Sequence, residues 1–269
     1  SEGSSVMSSK HDSVKKTLTV ALTLCLVCSV LVSVAAVGLK PMQDANKALD
    51  RNKNVLAAAG LLKPGQSRDE IQRLFDQFEL RLVNLAEGRF ATDEELQQAG
   101  IDPRNYNDRT ASRVPALSRS LRGNDPAGIQ RQARCATVDL PQNEGGQTDQ
   151  LVLPIHGAGL WGAMYGILVL EGDLRTVRGL SYYEHKETPG LGAKVENDDW
   201  RAQWPGQAAF KDDGSVALSV VKGKAGGPGE IDGLSGATLT TKGVDNMVRF
   251  WLGEGGYGPF IAHLQAGKG

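Results

Sequence analysis

The longest hydrophobic stretch of the chain runs from Thr17 to Leu39 and contains no charged residue. A helix over this stretch is about 34 Å long, which is enough to cross a hydrocarbon core of about 30 Å. A signal peptide is the alternative, because Lys10, Lys15 and Lys16 precede the stretch and Ser33–Ala35 offers a cleavage site. The stretch is longer than a usual signal core, so we expect a transmembrane helix over residues 17–39.

The charges around this stretch predict its orientation. Lysines lie before it and a long polar chain follows it, which favours an N-terminus inside the cytoplasm. We therefore expect residues 1–16 in the cytoplasm and the remainder in the periplasm, with the helix crossing the bacterial inner membrane once. We interpret residues 1–6, ahead of Met7, as a cloning remnant.

Helical patterns follow the hydrophobic stretch. Residues 41–62 have a helical composition typical of a stalk. Ser67 with Glu70 three residues later forms a capping-box pattern, which predicts a helix start. Within 67–85, hydrophobic residues then recur at helical spacing at Ile71, Leu74, Phe75 and Phe78. We expect a helical stalk or subdomain over residues 40–110.

The second half of the chain changes to short β-rich segments separated by glycine turns. Strands are expected at 151–155, 164–170, 176–183 and 215–221, and a helix at 241–252. No long helix separates the first three strands, which favours antiparallel pairing. The pattern predicts an α+β fold with an antiparallel sheet, in a domain that covers residues 111–269.

The charge balance of the chain argues against one class of function. The chain has 30 Lys+Arg and 31 Asp+Glu, a net charge of -1, which argues against a nucleic-acid partner.

Cys25 and Cys28 share one face of the predicted membrane helix; we interpret them as small apolar residues, with a metal or cluster pair as the alternative. Cys135 stands alone. No metal-ligand spacing is found among the four histidines, His11, His156, His185 and His263.

The segment GAGLWG matches the dinucleotide pattern G-x-G-x-x-G through Gly157, Gly159 and Gly162. A strand is predicted on both sides of it, whereas a dinucleotide site needs a helix after the glycines. We interpret the glycines as a turn that lets the backbone approach a ligand closely. His156 and Trp161 flank this turn, and each alone is more typical of packing.

A second glycine turn lies in HKETPGLGAKV. Pro189 fixes its own φ, and Gly190 with Gly192 permits backbone geometry closed to other residues. A planar ligand lying against the backbone would suit this surface, although a tight loop explains it equally well. Glu187 and His185 are candidate acid–base groups, but no nucleophile is placed beside them, and no catalytic residue is predicted.

The segment SGATLTT concentrates hydroxyl side chains just before a predicted helix. One interpretation is helix capping, in which a hydroxyl accepts a hydrogen bond from an early amide of the helix. The other is an anion site, because a helix N-terminus offers free N–H groups and partial positive charge to a phosphate. The residues concerned are Ser235, Gly236, Ala237, Thr238, Thr240 and Thr241.

The segment DGLSGATLT resembles the flavinylation motif of FMN-binding domains, D-x-x-[ST]-G-A-[ST]-x-[ST]. The matching positions are Asp232, Ser235, Gly236, Ala237, Thr238 and Thr240. In that family the final hydroxyl carries FMN through a phosphoester bond, which implies covalent FMN on Thr240. The resemblance of the two glycine turns to flavin-facing segments implies further contacts at His156, Gly159, Leu160, Trp161, Glu187, Thr188, Gly190, Leu191 and Gly192.

The resemblance extends beyond the motif. The membrane helix, the stalk and the C-terminal segment GYGPFIAHL are similar to the C subunits of sodium-pumping NADH:quinone oxidoreductases. This similarity implies an electron-carrying subunit in a membrane complex that oxidises NADH, reduces ubiquinone and pumps Na⁺, with NADH bound by another subunit. Its partners would be the other subunits, membrane lipid and a flavin transferase that uses FAD, since an isolated threonine hydroxyl is a poor nucleophile.

Two alternatives remain open from the residues. The G subunit of the Rnf ferredoxin:NAD complex shares the motif. A membrane-anchored binding module without flavin would use SGATLTT only to cap a helix. Electron transfer with ferredoxin instead of quinone would identify the Rnf subunit. A protein that stays colourless would identify the module without flavin.

Overall fold

The computed structural model describes residues 8–142 and 148–267. The chain forms two compact units that divide between Ala48 and Leu49. Helix α1, Ser8–Ala58, begins in the first unit and contains Pro41. Within the described residues it includes one span, Val14–Ala58, that is long and apolar enough to cross a membrane. The predicted span at 17–39 lies inside α1, whereas the prediction for residues 1–6 falls outside the described residues.

The elements after α1 alternate between short helices and strands. In the first part of the second unit these are α2 (Arg68–Phe75), β1 (Phe78–Asn84), β2 (Arg89–Phe90), α3 (Asp93–Gln98), α4 (Asp108–Arg113), β3 (Ser118–Ser120), β4 (Arg131–Ala133) and β5 (Cys135–Pro141). The remainder are β6 (Gln150–Ala158), β7 (Ala163–Glu171), β8 (Val177–Glu184), α5 (Asp198–Arg201), β9 (Ser219–Val220), β10 (Glu230–Ile231), α6 (Thr238–Leu252) and α7 (Gly258–Gln265). Short 3-10 turns occur at Pro103–Asn105, Pro115–Leu117 and Gly192–Glu196.

One six-stranded sheet organises the second unit, with strand order β2-β1-β5-β6-β7-β8. Every neighbouring pair is antiparallel, and His156 of β6 faces Tyr165 of β7 in the register. The predicted α+β class with an antiparallel sheet is confirmed. Two smaller sheets pair β3 with β4 and β9 with β10.

The sheet separates two hydrophobic layers. On β6, Leu151 and Leu153 join the larger core cluster, which includes Val244 and Met247 of α6. Val152, between them in sequence, joins the smaller cluster with the last turns of α1. This alternation follows from the period of two along a strand. The helix that starts at the SGATLTT segment therefore packs on one face of the sheet, and residues 55–59 pack on the other.

A partly buried ion pair connects the end of α1 to the sheet. Arg51 Nη2 lies 3.0 Å from Asp139 Oδ2, and the Asp139 side chain is only 1% exposed. Burial raises the pKa of Asp139, and the Arg51 guanidinium opposes that rise. At the same face the backbone of Gly179 lies so close to the carbonyl of Ala58 that a Cβ would be 2.5 Å from its oxygen.

The segment predicted as a helical stalk or subdomain differs from the observed structure. The capping box at Ser67 is present, but α2 ends at Phe75 and residues 78–84 form β1. Leu82 and Val83 pair with β5 in the main sheet, so long-range pairing overrides the local helical spacing. Because β1 and β2 lie inside residues 40–110, the sheet begins before the predicted boundary at 111.

Candidate functional site

Three separate segments meet at the start of α6. They are the turn between β6 and β7 at residues 159–162, the loop after β8 at residues 185–192, and the loop at residues 232–237 that leads into α6. The first two are the predicted glycine turns, and the third is the predicted motif. The fold therefore brings together the three segments that the sequence singled out.

Trp161 connects the first two segments. Its backbone N–H donates to Glu187 Oε1 at 3.0 Å, and its indole Nε1–H donates to Thr188 Oγ1 at 3.0 Å. The residue itself is 63% exposed. Both hydrogen bonds come from the same residue, so the β6–β7 turn is held against the loop after β8 while much of the indole stays open to solvent.

Glu187 and Thr240 connect the second segment to α6. Thr240 Oγ1 donates to Glu187 Oε2 at 2.5 Å, and Thr240 has no exposed surface. A Cβ on Gly192 would lie 2.6 Å from Thr240 Oγ1. The Thr240 hydroxyl is thus enclosed by a carboxylate and by backbone, and the FMN attachment that the motif implies there stays a prediction.

Asp232 shapes the motif loop. Its Oδ1 accepts from the backbone N–H of Ala225 at 2.7 Å, and its carbonyl accepts from Trp200 Nε1–H at 2.8 Å. Its own N–H donates to Gln203 Oε1 at 3.0 Å. These three contacts hold the motif loop in place.

The first turn of α6 has no side-chain cap. The N-cap residue is Ala237, and no side chain accepts from the first amides of the helix. Thr241 acts one turn further along, where its Oγ1 accepts from the N–H of Leu234 and donates to the carbonyl of Ala237. The hydroxyl-rich segment therefore leaves the N-terminal amides of α6 free, as an anion site requires.

The hydroxyls of the motif differ in accessibility. Ser235, Gly236 and Thr238 are exposed, whereas Thr240 and Thr241 are buried. Lys194 Nζ donates to the carbonyl of Ser235 at 3.1 Å, which places a positive charge beside the motif loop. The sequence prediction missed Lys194; its place two residues after the second glycine turn was the available signal.

Exposed apolar side chains surround the same place. Leu160, Trp161, Leu191 and Leu239 are 45%, 63%, 43% and 61% exposed. They belong to the β6–β7 turn, the loop after β8 and α6. Leu191 also packs over Gly236 in the motif loop. A rim of apolar side chains around free amides and a lysine suits a flat aromatic ligand that carries a phosphate.

The ring of His156 packs against two other aromatic rings. Its ring stacks on Tyr165 at a centroid distance of 5.6 Å and lies 5.0 Å from the Trp251 ring. Burial, followed by the nearby Arg109 charge, lowers the pKa of His156 to about 4, so the ring is neutral at pH 7. His156 thus packs among aromatic rings, and the flavin contact implied for it stays a prediction.

The remaining sequence candidates have local roles. His185 Nε2 lies 2.9 Å from Glu196 Oε1, and its Nδ1 accepts from the N–H of Glu187. No nucleophile is hydrogen-bonded to the His185–Glu196 pair among the described residues.

Gly190 has φ +75, as the turn requires. Within residues 8–142 and 148–267 there is no group of three His, Cys, Asp or Glu that could hold a metal.

The G-x-G-x-x-G segment is not a dinucleotide site. Gly159 N–H donates to the carbonyl of Gly162 at 2.7 Å, which closes a tight turn, and β7 follows directly. A pyrophosphate site of that type needs a helix at this position. The helix N-terminus that the turn faces belongs to α6 instead.

A protein with these features belongs to the class of FMN-binding domains: glycine turns, exposed hydroxyls and free helix amides meet under an apolar rim. A family profile described as "FMN-binding domain" matches residues 159–253, which include all three segments. The chain belongs, more narrowly, to the family of C subunits of Na⁺-translocating NADH-quinone reductases, as its relatives show.

Curated relatives cover almost the whole chain. The C subunit of the Yersinia pestis reductase is 46% identical over 261 residues, 96% of this chain and 95% of that protein. The C subunit of the Pseudomonas aeruginosa reductase is 43% identical over 265 residues, 96% of this chain and 98% of that protein. Similarity therefore extends through the membrane helix and is not confined to the FMN-binding domain.

Solved structures agree with the relatives. The crystal structure of Shewanella oneidensis NqrC matches with a TM-score of 0.70 and 32% identity, over 80% of this chain and 96% of that chain. The C subunit of the Parabacteroides distasonis reductase matches with a TM-score of 0.62 and 25% identity, over 83% of this chain and 96% of that chain. The predicted family and fold are confirmed.

Proposed function

We propose that this chain holds FMN at the start of α6 and carries electrons within a Na⁺-translocating NADH:quinone reductase. The observation that carries the proposal is the near full-length match to C subunits of that complex, combined with a motif at an uncapped helix start. Bound FMN supplies one- and two-electron transfer. NADH binds elsewhere in the complex, since the glycine turn at 157–162 precedes a strand.

Membranes from cells that lack this chain provide the test. NADH-dependent ubiquinone reduction and Na⁺ uptake should both be absent, and both should return when the full-length chain is supplied. A complex that couples NADH to ferredoxin instead of quinone would identify the Rnf alternative. A chain that stays colourless after treatment with a flavin transferase and FAD would identify a binding module without flavin.

The attachment point of FMN is a separate proposal. The family motif implies a phosphoester on Thr240, but that hydroxyl is buried and donates to Glu187. Thr238 is exposed and lies at the first position of α6, among the free helix amides, and Lys194 binds the carbonyl of Ser235 three residues earlier. We place the bond on Thr238 Oγ1, where the helix N-terminus stabilises the phosphate. Thr240 then supports the site through its hydrogen bond to Glu187.

Attachment requires help from another protein. Among the described residues no carboxylate or imidazole is hydrogen-bonded to Thr238 Oγ1, so the hydroxyl has no base to activate it. A flavin transferase that uses FAD supplies this step: the Thr238 oxygen forms a bond to the FMN phosphorus, the pyrophosphate bond breaks, and AMP leaves. The threonine proton passes to a base of the transferase.

The location of the soluble part follows from charge. Lys15 and Lys16 precede the apolar part of α1, so we place this end in the cytoplasm and residues 49–269 in the periplasm, with α1 in the inner membrane. Labelling the single soluble thiol, Cys135, tests the orientation, after Cys25 and Cys28 are replaced by alanine. The thiol is partly exposed, so a reagent that cannot cross the inner membrane should modify it in spheroplasts.

A further inference from the structure

Glu187 lies between the segments of the site, and its surroundings differ from those of a surface carboxylate. The residue is only 5% exposed, although it belongs to a loop. Within the described chain no lysine, arginine or histidine lies within ion-pair distance of it. A buried carboxylate without a cation must be stabilised by hydrogen bonds.

Two hydrogen bonds from two other segments fulfil this need. Oε1 accepts from the N–H of Trp161 at 3.0 Å, and Oε2 accepts from the Thr240 hydroxyl at 2.5 Å. Each carboxylate oxygen thus has one donor, as an acceptor-only group requires. One side chain thereby joins the β6–β7 turn to α6 across the loop after β8.

The glycines of both turns make this arrangement possible. A Cβ on Gly159 would lie 2.5 Å from Glu187 Oε1, and a Cβ on Gly192 would lie 2.7 Å from Glu187 Oε2. Any larger residue at either position would displace the carboxylate. The two glycines therefore make room for Glu187. This explains why glycine occupies both positions without reference to a bound ligand.

We propose that Glu187 is a positioning residue: its carboxylate fixes the β6–β7 turn and the first turn of α6 relative to each other before FMN arrives. This inference rests on the proposed function, because the segments it fixes are those proposed to bind FMN. It assigns Thr240 a role as hydrogen-bond donor to Glu187. Trp161 and Thr238, which are exposed, are held in place through the buried pair beneath them.

Hydrogen exchange at the Trp161 amide tests the inference in the full chain without flavin. The variants are Glu187→Gln, Thr240→Val and Thr240→Ser, with Glu196→Gln as the control carboxylate, since Glu196 is exposed. Hydrogen bonds to a charged group are stronger than neutral ones, and exchange should be about ten- to a hundredfold faster once the carboxylate is neutralised or released. We expect this acceleration in Glu187→Gln and Thr240→Val, and near-normal exchange in Thr240→Ser and Glu196→Gln.

The amide of Leu168 in the middle of β7 is the internal reference and should keep its wild-type rate in every variant. The same proteins are then treated with transferase and FAD, and FMN attachment should be about tenfold slower in the two disruptive variants and recover in Thr240→Ser. If the Trp161 amide exchanges at the wild-type rate in both disruptive variants, Glu187 does not position the site. If Thr240→Val does not fold, the nearly isosteric Glu187→Gln decides alone.

The two proposals can fail separately. A wild-type chain that never acquires FMN contradicts the proposed function, while the exchange rates still decide the role of Glu187. A chain that acquires FMN equally fast in all four variants, with unchanged exchange, overturns the role of Glu187 and leaves the proposed function in place.

Discussion

Thr238 and Thr240 lie two residues apart on α6 and face opposite surroundings: Thr238 is exposed, and Thr240 has no exposed surface. Two residues correspond to about 200° around a helix, so the two hydroxyls cannot share one side. Thr238 faces solvent, and Thr240 faces Glu187. This relationship distinguishes two hydroxyl groups of the same motif by their surroundings.

The first prediction concerns the modified residue. Thr238→Val should abolish the FMN adduct, because valine keeps the shape of threonine and lacks the oxygen. Thr240→Val should retain an adduct on Thr238, formed more slowly. Tandem mass spectrometry of the peptide that contains both residues, after treatment with transferase and FAD, locates the bond. An adduct on residue 240 in Thr238→Val would restore the attachment point that the motif implies.

The second prediction concerns acid stability. Burial lowers the pKa of His156 to about 4 from 6.5, so below pH 6.5 the unfolded chain binds a proton that the folded chain does not. Stability therefore falls as the pH drops, by about 2 kcal/mol between pH 7.5 and pH 5 for this group. Urea unfolding of wild type and His156→Asn at pH 7.5 and pH 5 measures this change in the free energy of unfolding.

The asparagine variant should lose this pH dependence, since it has no imidazole to protonate. Other buried groups, such as Asp139, titrate in both proteins and cancel in the comparison. An equal change with pH in the two proteins would show that His156 accepts a proton within the folded chain.

The third prediction concerns the ion pair at the end of α1. Arg51→Met leaves the Asp139 carboxylate buried without its cation, which should destabilise the second unit by about 3 kcal/mol. The double variant Arg51→Met with Asp139→Leu should recover much of that loss, because no buried charge remains. Urea unfolding of both variants in detergent measures the difference; a double variant no more stable than Arg51→Met would contradict the explanation.

The fourth prediction concerns the close approach of α6 to the sheet. A Cβ at Gly243 would overlap the carbonyl oxygen of Ala158, whereas the nearest atom to a Cβ at Gly226 is 3.9 Å away. Gly243→Ala should therefore destabilise the fold by about 1–3 kcal/mol, as overpacking does. Gly226→Ala is the matched control and should change the unfolding midpoint little. Similar midpoints for the two variants would mean that α6 moves away from β6 at little cost.

Much of the fold follows from local sequence. The capping box at Ser67 predicts the start of α2, and short β-rich segments between glycine turns predict β6, β7 and β8 to within a few residues. Helical spacing fails after Phe75, where pairing with β5 decides the structure. No local pattern contains that information, because the partner strand begins at Cys135.

The sequence predicts which segments form the site, but it does not predict which way their side chains point. The motif and two glycine turns identify the three segments that meet. The predicted helix starts at Thr241, three residues after the observed start of α6 at Thr238. That difference places Thr240 outside the helix and hides its inward orientation. The hydrogen bond between Thr240 and Glu187 spans 53 residues, and no local pattern at either residue predicts it.

The two covered faces of the main sheet limit how a redox partner can reach this protein. Residues 55–59 lie on one face and α6 lies on the other, so neither face is open across its centre. The apolar rim of Leu160, Trp161, Leu191 and Leu239 lies at the end of the strands, where the turns are. FMN held at the start of α6, as proposed, would therefore be approached by its electron donor and its electron acceptor from the same end of the sheet.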